Sequence, residues 1–162
     1  MTSELPWFDG DAESIDVFLS LIGSYRADSL LVAIERALDS KVGTLTEAEE
    51  DVLAVEALER EVNNGGFHQF FINAAETVPR VVDALNRARC RSVAQITSDA
   101  IVALGLDAGV TTQAVREAVA ALAPTGMDRL GHLDKQFHAY PDPIDERLLA
   151  YISEHRHEIA WP

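Results

Sequence analysis

Apolar side chains recur at the spacing of an α-helix through nearly the whole of this sequence. Ile15, Phe18, Leu19 and Ile22 follow the i, i+3, i+4, i+7 pattern of one buried helix face, and no segment of useful length alternates as a β-strand does. The same spacing recurs at Leu30, Leu31, Ile34 and Leu38, at Val52, Val55, Leu58 and Val62, and at Ile144, Leu148, Ile152 and Ile159. Because such helices bury their apolar faces on one another, the sequence predicts an all-α fold of about eight or nine helices.

The chain length and the helix boundaries predict one domain. A chain of 162 residues is of ordinary single-domain size, and this one has no low-complexity linker. We therefore expect a single compact domain over residues 1–162, of which 1–10 form an irregular amino-terminal segment. Thr46 and Glu49 have the spacing of a capping box, which predicts the start of a helix.

The cysteine count and the first residues bear on the compartment. Cys90 is the only cysteine, so an intramolecular disulfide is excluded and a reducing compartment is expected. The opening segment, MTSELPWFDGDAESID, carries acids where a signal peptide has bases. No apolar run approaches the ~20 residues of a membrane span. We therefore expect a cytoplasmic protein that does not bind membranes.

The chain is strongly acidic, and its acids are unevenly placed. Lysine and arginine total 13 and aspartate and glutamate total 27, which gives a net charge of −14. Residues 1–60 hold 14 acids and 4 bases, whereas residues 61–162 hold 13 acids and 9 bases. A negative field repels nucleic acid and anionic lipid and attracts basic protein surfaces. The expected partner is a basic DNA-binding or other cationic protein, with no direct binding of nucleic acid.

The segment EVNNGGFHQFFIN, residues 61–73, interrupts the helical pattern. Gly65 and Gly66 tolerate the positive φ angles with which a chain ends one helix and reverses direction. The three phenylalanines that follow share one face of a new helix, and each would contribute roughly 2 kcal/mol when buried. The polar side chains beside the turn allow another interpretation. In it, the chain is a small ligand-binding or hydrolytic domain that uses the Asn-rich corner at 63–73, with His68 as general base.

Sequence patterns of catalysis and metal binding are absent. There is no phosphate-binding glycine loop, no nucleophile elbow and no zinc-protease motif. Cys90 lies among arginines that could lower the pKa of its thiol, but no histidine accompanies it, which favours an inert, packed cysteine. His155 and His157 would point about 200° apart on a helix, so they cannot bind one ion. We expect no catalytic residue, no metal site and no cofactor.

Two stretches resemble one known family. The run NGGFHQFFIN that begins at Asn64 and the run DKQFHAYPD that begins at Asp134 are similar to the signature of the DNA mimic protein family, the DMP-nineteen-like domain. The matching residues are Asn64, Gly65, Gly66, Phe67, Gln69, Phe70, Phe71 and Asn73, then Asp134, Phe137, Tyr140, Pro141 and Asp142. The resemblance extends over most of the chain after about residue 15. The resemblance implies an all-helical fold in which these residues form turns and core. It also implies DNA mimicry, since at least one member of the family is understood to cover the DNA-binding face of a transcription factor.

Two groups of acids form the predicted partner-binding surface. Carboxylates one helical turn apart lie roughly 5–6 Å from each other, a spacing able to engage Lys and Arg side chains that otherwise meet phosphates. The first group is Glu47, Glu49, Glu50, Asp51, Glu56 and Glu59, and the second is Asp9, Asp11, Glu13 and Asp16. The sequence thus predicts a non-enzymatic DNA mimic that binds a transcription regulator or another nucleic-acid-binding protein. An immunity- or antitoxin-type inhibitor of a basic partner is an alternative, and a homodimer is left open.

Overall fold

The computed structural model describes residues 4–107 and 109–162. Within those ranges it has eight α-helices and two short 3₁₀ turns, and no β-strand beyond an isolated bridge between Ile22 and Tyr25. The helices are α1 (Ile15–Ser20), α2 (Ala27–Asp39), α3 (Glu47–Asn73), α4 (Val78–Arg87), α5 (Arg91–Ala103), α6 (Thr112–Ala120), α7 (Pro124–His138) and α8 (Ile144–Glu154). The predicted all-α class and single compact domain are confirmed. None of these helices is long and apolar enough to cross a bilayer.

The amino-terminal segment was predicted to be irregular over residues 1–10. Residues 4–10 contain no helix, and the first three residues lie outside the described ranges. The backbone N–H of Phe8 donates to Ser29 Oγ at 3.0 Å, and the ring of Phe8 meets that of Tyr25 edge-on at 5.1 Å. Although the segment is irregular, it is therefore packed against α2.

Short polar side chains begin several helices. Thr46 Oγ1 accepts a hydrogen bond from the backbone N–H of Glu49 at 3.2 Å, and the Glu49 carboxylate accepts one from the N–H of Thr46 at 2.9 Å. This reciprocal pair is the predicted capping box, and it satisfies two N–H groups that the helix itself leaves free. The hydroxyls of Ser14 and Thr111 cap α1 and α6 in a similar way.

The central helix is α3, which packs against α2, α4, α6, α7 and α8. Its predicted apolar face is buried, as is the stripe predicted for the end of the chain: Val52, Val55, Leu58, Val62, Ile144, Leu148, Ile152 and Ile159. The last of these lies just beyond α8. The ring of Phe67 lies 5.9 Å from that of Phe137 and 6.2 Å from that of Phe71. Because α3 is covered on several sides, its charged residues also face neighbouring helices.

Candidate protein-interaction surface

Three of the predicted partner-binding acids are buried. Glu49, Asp51 and Glu56 expose 0%, 1% and 6% of their surface, so the prediction that they lie on an exposed binding surface is wrong. The reason is the central position of α3. Helices pack against it from several directions, whereas the sequence pattern suggested a single apolar stripe with an exposed charged side.

A network of hydrogen bonds inside the protein holds the Asp51 carboxylate. It accepts from Arg80 Nη1 at 2.8 Å, from Arg87 Nε at 2.6 Å and from Tyr151 Oη at 2.8 Å. Burial by itself would raise the pKa of Asp51, but the hydrogen bonds from the two arginines and the tyrosine outweigh it and hold the pKa below its ordinary value. Asp51 therefore joins α3, α4 and α8.

Glu49 is used in the same way at the start of α3. In addition to its capping bond to Thr46, its carboxylate accepts from Lys41 Nζ at 2.6 Å and from the backbone N–H of Ala160 at 2.8 Å. Burial works against ionisation, but the bonds from Lys41 and the two amides leave the pKa of Glu49 below its ordinary value. This carboxylate therefore connects the α2–α3 loop and the end of the chain to α3.

Glu56 and Glu59 lie where α3 meets α2 and the first turn of α8. Burial, with a smaller contribution from the charge of Glu35, raises the pKa of Glu56 well above its ordinary value. Glu59 is half-buried beside the carboxyl group of Asp145, and its Oε1 has no hydrogen-bond partner in the described part of the chain. Burial and the charge of Asp145 raise the pKa of Glu59 to about 7. Because two neighbouring carboxylates repel each other, such a pair keeps a proton to higher pH than an isolated carboxyl group does.

This carboxyl pair predicts a pH dependence of stability. Because the pKa of Glu59 is raised from 4.5 to about 7 on folding, the folded protein keeps a proton that the unfolded chain releases between those values. The contribution of Glu59 to the free energy of unfolding should therefore fall as the pH rises from about 4.5 to about 7 and be constant above that. Glu59→Gln should flatten this fall, as measured by urea unfolding across the range. Equal pH profiles for the variant and the parent would contradict the assignment.

The other predicted acids that face solvent lie near one end of the molecule. The exposed members are Asp9, Asp11, Glu13, Asp16 and Glu47, which we call the amino-terminal acidic surface. Asp16 lies 4.0 Å from Arg156, whereas the other four take part in no ion pair within residues 4–107 and 109–162. Glu50 is half-exposed and pairs with Arg80 at 2.5 Å. Asp9, Asp11, Glu13 and Glu47 therefore form no ion pair with a Lys or Arg side chain among the described residues.

The carboxyl-terminal segment brings the two groups of acids together. Thr46 Oγ1 donates to the carbonyl of Glu158 at 2.7 Å, and Trp161 Nε1 donates to the carbonyl of Ala12 at 2.8 Å. The first bond lies one residue before the acidic first turn of α3, and the second lies in the middle of the amino-terminal acids. Four consecutive residues span at most roughly 14 Å. Acids that are distant in sequence therefore share one end of the fold.

The glycine pair bends α3 sharply. Gly65 and Gly66 depart from helical backbone angles inside the helix, and Gly66 has a φ of 77°. In a straight helix Glu61 and Asn73 would lie roughly 18 Å apart along the axis. Instead, Asn73 Nδ2 donates to Glu61 Oε2 at 2.9 Å. The chain thus turns back at the glycines, as the sequence predicts.

Side chains from α7 and the following turn hold this bend. Asp134 Oδ1 accepts from the backbone N–H of Phe67 at 2.8 Å, and Tyr140 Oη donates to Asn63 Oδ1 at 3.1 Å. A Cβ atom on Gly66 would lie 2.4 Å from Asp134 Oδ2, so the close approach of the carboxylate requires glycine there. The two stretches that resemble the family signature therefore meet at one place in the fold.

The Tyr-Pro-Asp turn also fixes the start of α5. Asp142 is buried, and its carboxylate accepts from the N–H of Val93 at 2.9 Å and from Arg147 Nη1 at 2.7 Å. Tyr140 and Pro141, in contrast, are exposed, and Tyr140 adopts a φ of 49°. The buried aspartate therefore acts as an internal tie between the turn and α5.

The polar side chains of 63–73 do not gather in one cleft. Gln69 and Asn73 both donate to Glu61 Oε2 at 2.9 Å, which lowers the pKa of that carboxyl, and Asn64 is exposed at the bend. His68 instead lines a separate hollow beside Arg116, and no carboxylate is among the residues that line it. Among the described residues, the lining of this hollow offers His68 no acid to orient it as a base.

Cys90 and His155 are packed against neighbouring parts of the protein. Cys90 is fully buried, and burial, with the charge of Asp142, raises the pKa of its thiol to about 11, which is opposite to the activation that neighbouring arginines could produce. The His155 ring stacks on Tyr151 at 4.1 Å. Among the described residues no group of three or more His, Cys, Asp or Glu side chains is arranged to hold a metal ion.

The fold and this surface define an acidic, all-helical protein built on a bent central helix. The profile of the DMP19-like protein family matches residues 43–155, which is more than half of the chain. The chain therefore belongs to that family, and the resemblance seen in the sequence is confirmed, although the match begins well after residue 15. The amino-terminal acids and the last residues lie outside the matched region. Searches of curated proteins and of solved structures return no match.

Proposed function

We propose that this protein is a DNA mimic, without catalysis or a cofactor, whose amino-terminal acidic surface covers the DNA-binding face of a basic regulatory protein. The observation that carries the proposal is the set of carboxylates at one end of the fold that lack a cation within the described residues. Membership of the DMP19-like family supports the proposal, and so does the net charge of −14.

Because some of the acidic residues are buried, fewer of them are free to contact the proposed partner. Glu49 and Asp51 are already neutralised by Lys and Arg side chains of the protein itself, and removing them from these partners would cost stability. Asp9, Asp11 and Glu47 have no such ion pair within the described residues, so binding a partner through them does not carry this cost. Exposed carboxylates attract a cationic surface through a field that salt screens within about 10 Å at 0.1 M. Binding to the partner should therefore compete with duplex DNA for the same lysines and arginines.

Neutralising this surface should weaken the complex. The variant Asp9→Asn, Asp11→Asn, Glu13→Gln, Glu47→Gln removes four charges and should lower affinity for a captured DNA-binding protein by about 10-fold or more at low salt. It should also reduce the slope of log affinity against log salt, because fewer ionic contacts remain. Titration calorimetry at several salt concentrations measures both.

A second variant with the same change in net charge provides the control. Glu76→Gln, Asp83→Asn, Glu117→Gln and Asp128→Asn alter exposed acids on other parts of the surface and should leave affinity within about twofold. Equal losses in the two variants would show a general charge effect and reject this surface. A complex that duplex DNA does not displace would reject mimicry and favour an inhibitor directed at another site.

A further inference from the structure

A pocket of about 400 Å³ opens beside the amino-terminal acidic surface, between the amino-terminal segment, α2 and the end of the chain. Aromatic rings of Phe8, Phe18 and Trp161 line it, and Ala33 and Ala37 of α2 contribute short side chains. We call it the Trp161 pocket. Its volume lies within the ~300–1,000 Å³ range of pockets that hold small ligands.

The aromatic side chains around the pocket are fixed by contacts of their own. The Trp161 indole is held by its hydrogen bond to the carbonyl of Ala12, and its ring centroid lies 5.4 Å from that of Phe18. Phe8 is held by its edge-on contact with Tyr25. A binding partner would therefore meet a preformed apolar surface and would not have to order it, which lowers the cost of association.

The charge around the pocket indicates what enters it. Asp11 lines the opening, and Asp9 and Glu13 are exposed on either side of it in sequence. Arg36 is the cation among the described residues that line the pocket and offsets Asp11, so the excess negative charge near the opening comes from the exposed Asp9 and Glu13. An occupant that carries positive charges around an apolar group matches this pattern.

We infer that the Trp161 pocket receives apolar side chains of leucine or methionine size from one face of a Lys/Arg-rich helix of the partner. The inference rests on the proposed function and adds to it a contact that DNA does not offer. The basic side chains of the helix meet the acidic surface, while its apolar side chains are buried against Phe8 and Trp161. Since the pocket residues lie outside the family match at 43–155, this contact would select the partner of this chain in particular.

Two synthetic peptides test the inference with the full chain. One is a helical peptide of roughly 18 residues with lysines and a leucine stripe, and the other has alanines in place of the leucines at equal charge. Trp7→Phe leaves Trp161 as the remaining tryptophan of the two in the chain, so fluorescence reports on the pocket. The leucine peptide should bind about 10-fold or more tightly than the alanine peptide, change the Trp161 emission and keep this advantage as salt rises.

Filling the pocket should remove the advantage. Ala37→Leu and, separately, Ala33→Leu should bring the affinity ratio of the two peptides close to 1, with circular dichroism and thermal unfolding used to select folded variants. Ala120→Leu is the matched control, because Ala120 lines the separate hollow beside His68, and the ratio should persist. A ratio near 1 in the unfilled protein, or one that persists in a folded filled variant, would overturn the inference.

The alanine peptide tests the proposed function separately from the pocket inference. The alanine peptide should lose affinity when Asp9, Asp11, Glu13 and Glu47 are neutralised, whatever the pocket does. If that peptide binds equally well to the neutralised protein, the proposed function fails. If it loses affinity but leucine adds nothing, only the pocket inference fails.

Discussion

Gly66→Ala should destabilise the protein by about 3 kcal/mol, the sum of two local effects. Gly66 has a φ of 77° and a ψ of −178°, a region that essentially only glycine adopts, where an L-residue costs roughly 1–3 kcal/mol. The added Cβ would also lie 2.4 Å from Asp134 Oδ2, so Asp134 must move and lose its bond to the N–H of Phe67. An unsatisfied N–H in the core costs roughly 1–3 kcal/mol. Chemical denaturation, or a fall in Tm of roughly 6–12 °C, measures the loss.

Gly131 offers a matched control for this substitution. It lies inside α7 on the exposed side, and a Cβ atom built there meets nothing within 4 Å. Gly131→Ala should therefore stabilise the protein by roughly 0.5–1 kcal/mol through helix propensity alone. If the two substitutions had similar effects, the bend would not depend on glycine as the geometry indicates.

Asp51→Ala should cost about 3 kcal/mol at neutral pH. The substitution removes the acceptor of hydrogen bonds from Arg80, Arg87 and Tyr151, and the buried tyrosine hydroxyl then lacks a partner. The loss should be at the low end of the range for buried ion pairs, because the Arg80 and Arg87 side chains are 30% and 39% exposed and can turn to water. Urea unfolding measures the change.

The pH dependence of this loss identifies its origin. Since the pKa of Asp51 is lowered in the folded state, the stability it contributes is present above its unfolded pKa and disappears as the pH falls through the folded pKa. The difference between the parent and Asp51→Ala should therefore shrink in acid. Glu47→Ala, which alters an exposed acid on the same helix, should stay within about 0.5 kcal/mol. A difference that does not vary with pH would contradict the network.

Local sequence patterns were sufficient for the helices and for the bend. The capping box at Thr46 and Glu49 needs residues only three positions apart, and the buried face of Val52 and Val55 follows from helical spacing. The glycine pair predicted a reversal because few other residues adopt positive φ. Each of these signals is short-range, so the sequence displays it directly.

Whether each acidic residue is buried or exposed could not be predicted, because it depends on partners that are distant in sequence. Asp51 meets Arg80, Arg87 and Tyr151 at separations of 29, 36 and 100 residues. Glu47 and Glu49 both lie in the first turn of α3, yet the end of the chain binds Glu49 while Glu47 is exposed. A carboxylate one turn from another looks the same in sequence whether it meets solvent or a buried arginine. The available signal was the spacing of Arg80 and Arg87 on α4, which lets both of them face Asp51 of α3.

The sharp turn within α3 has a kinetic consequence. Glu61 and Asn73 touch across only 12 residues, so this hairpin of two half-helices closes a short loop at small entropic cost and suits an early folding nucleus. The bond between Thr46 and Glu158 spans 112 residues, and we expect it to form late because closing so long a loop costs more entropy. The core scaffold should therefore assemble first, and the charged end of the molecule should acquire its final shape in the last step of folding.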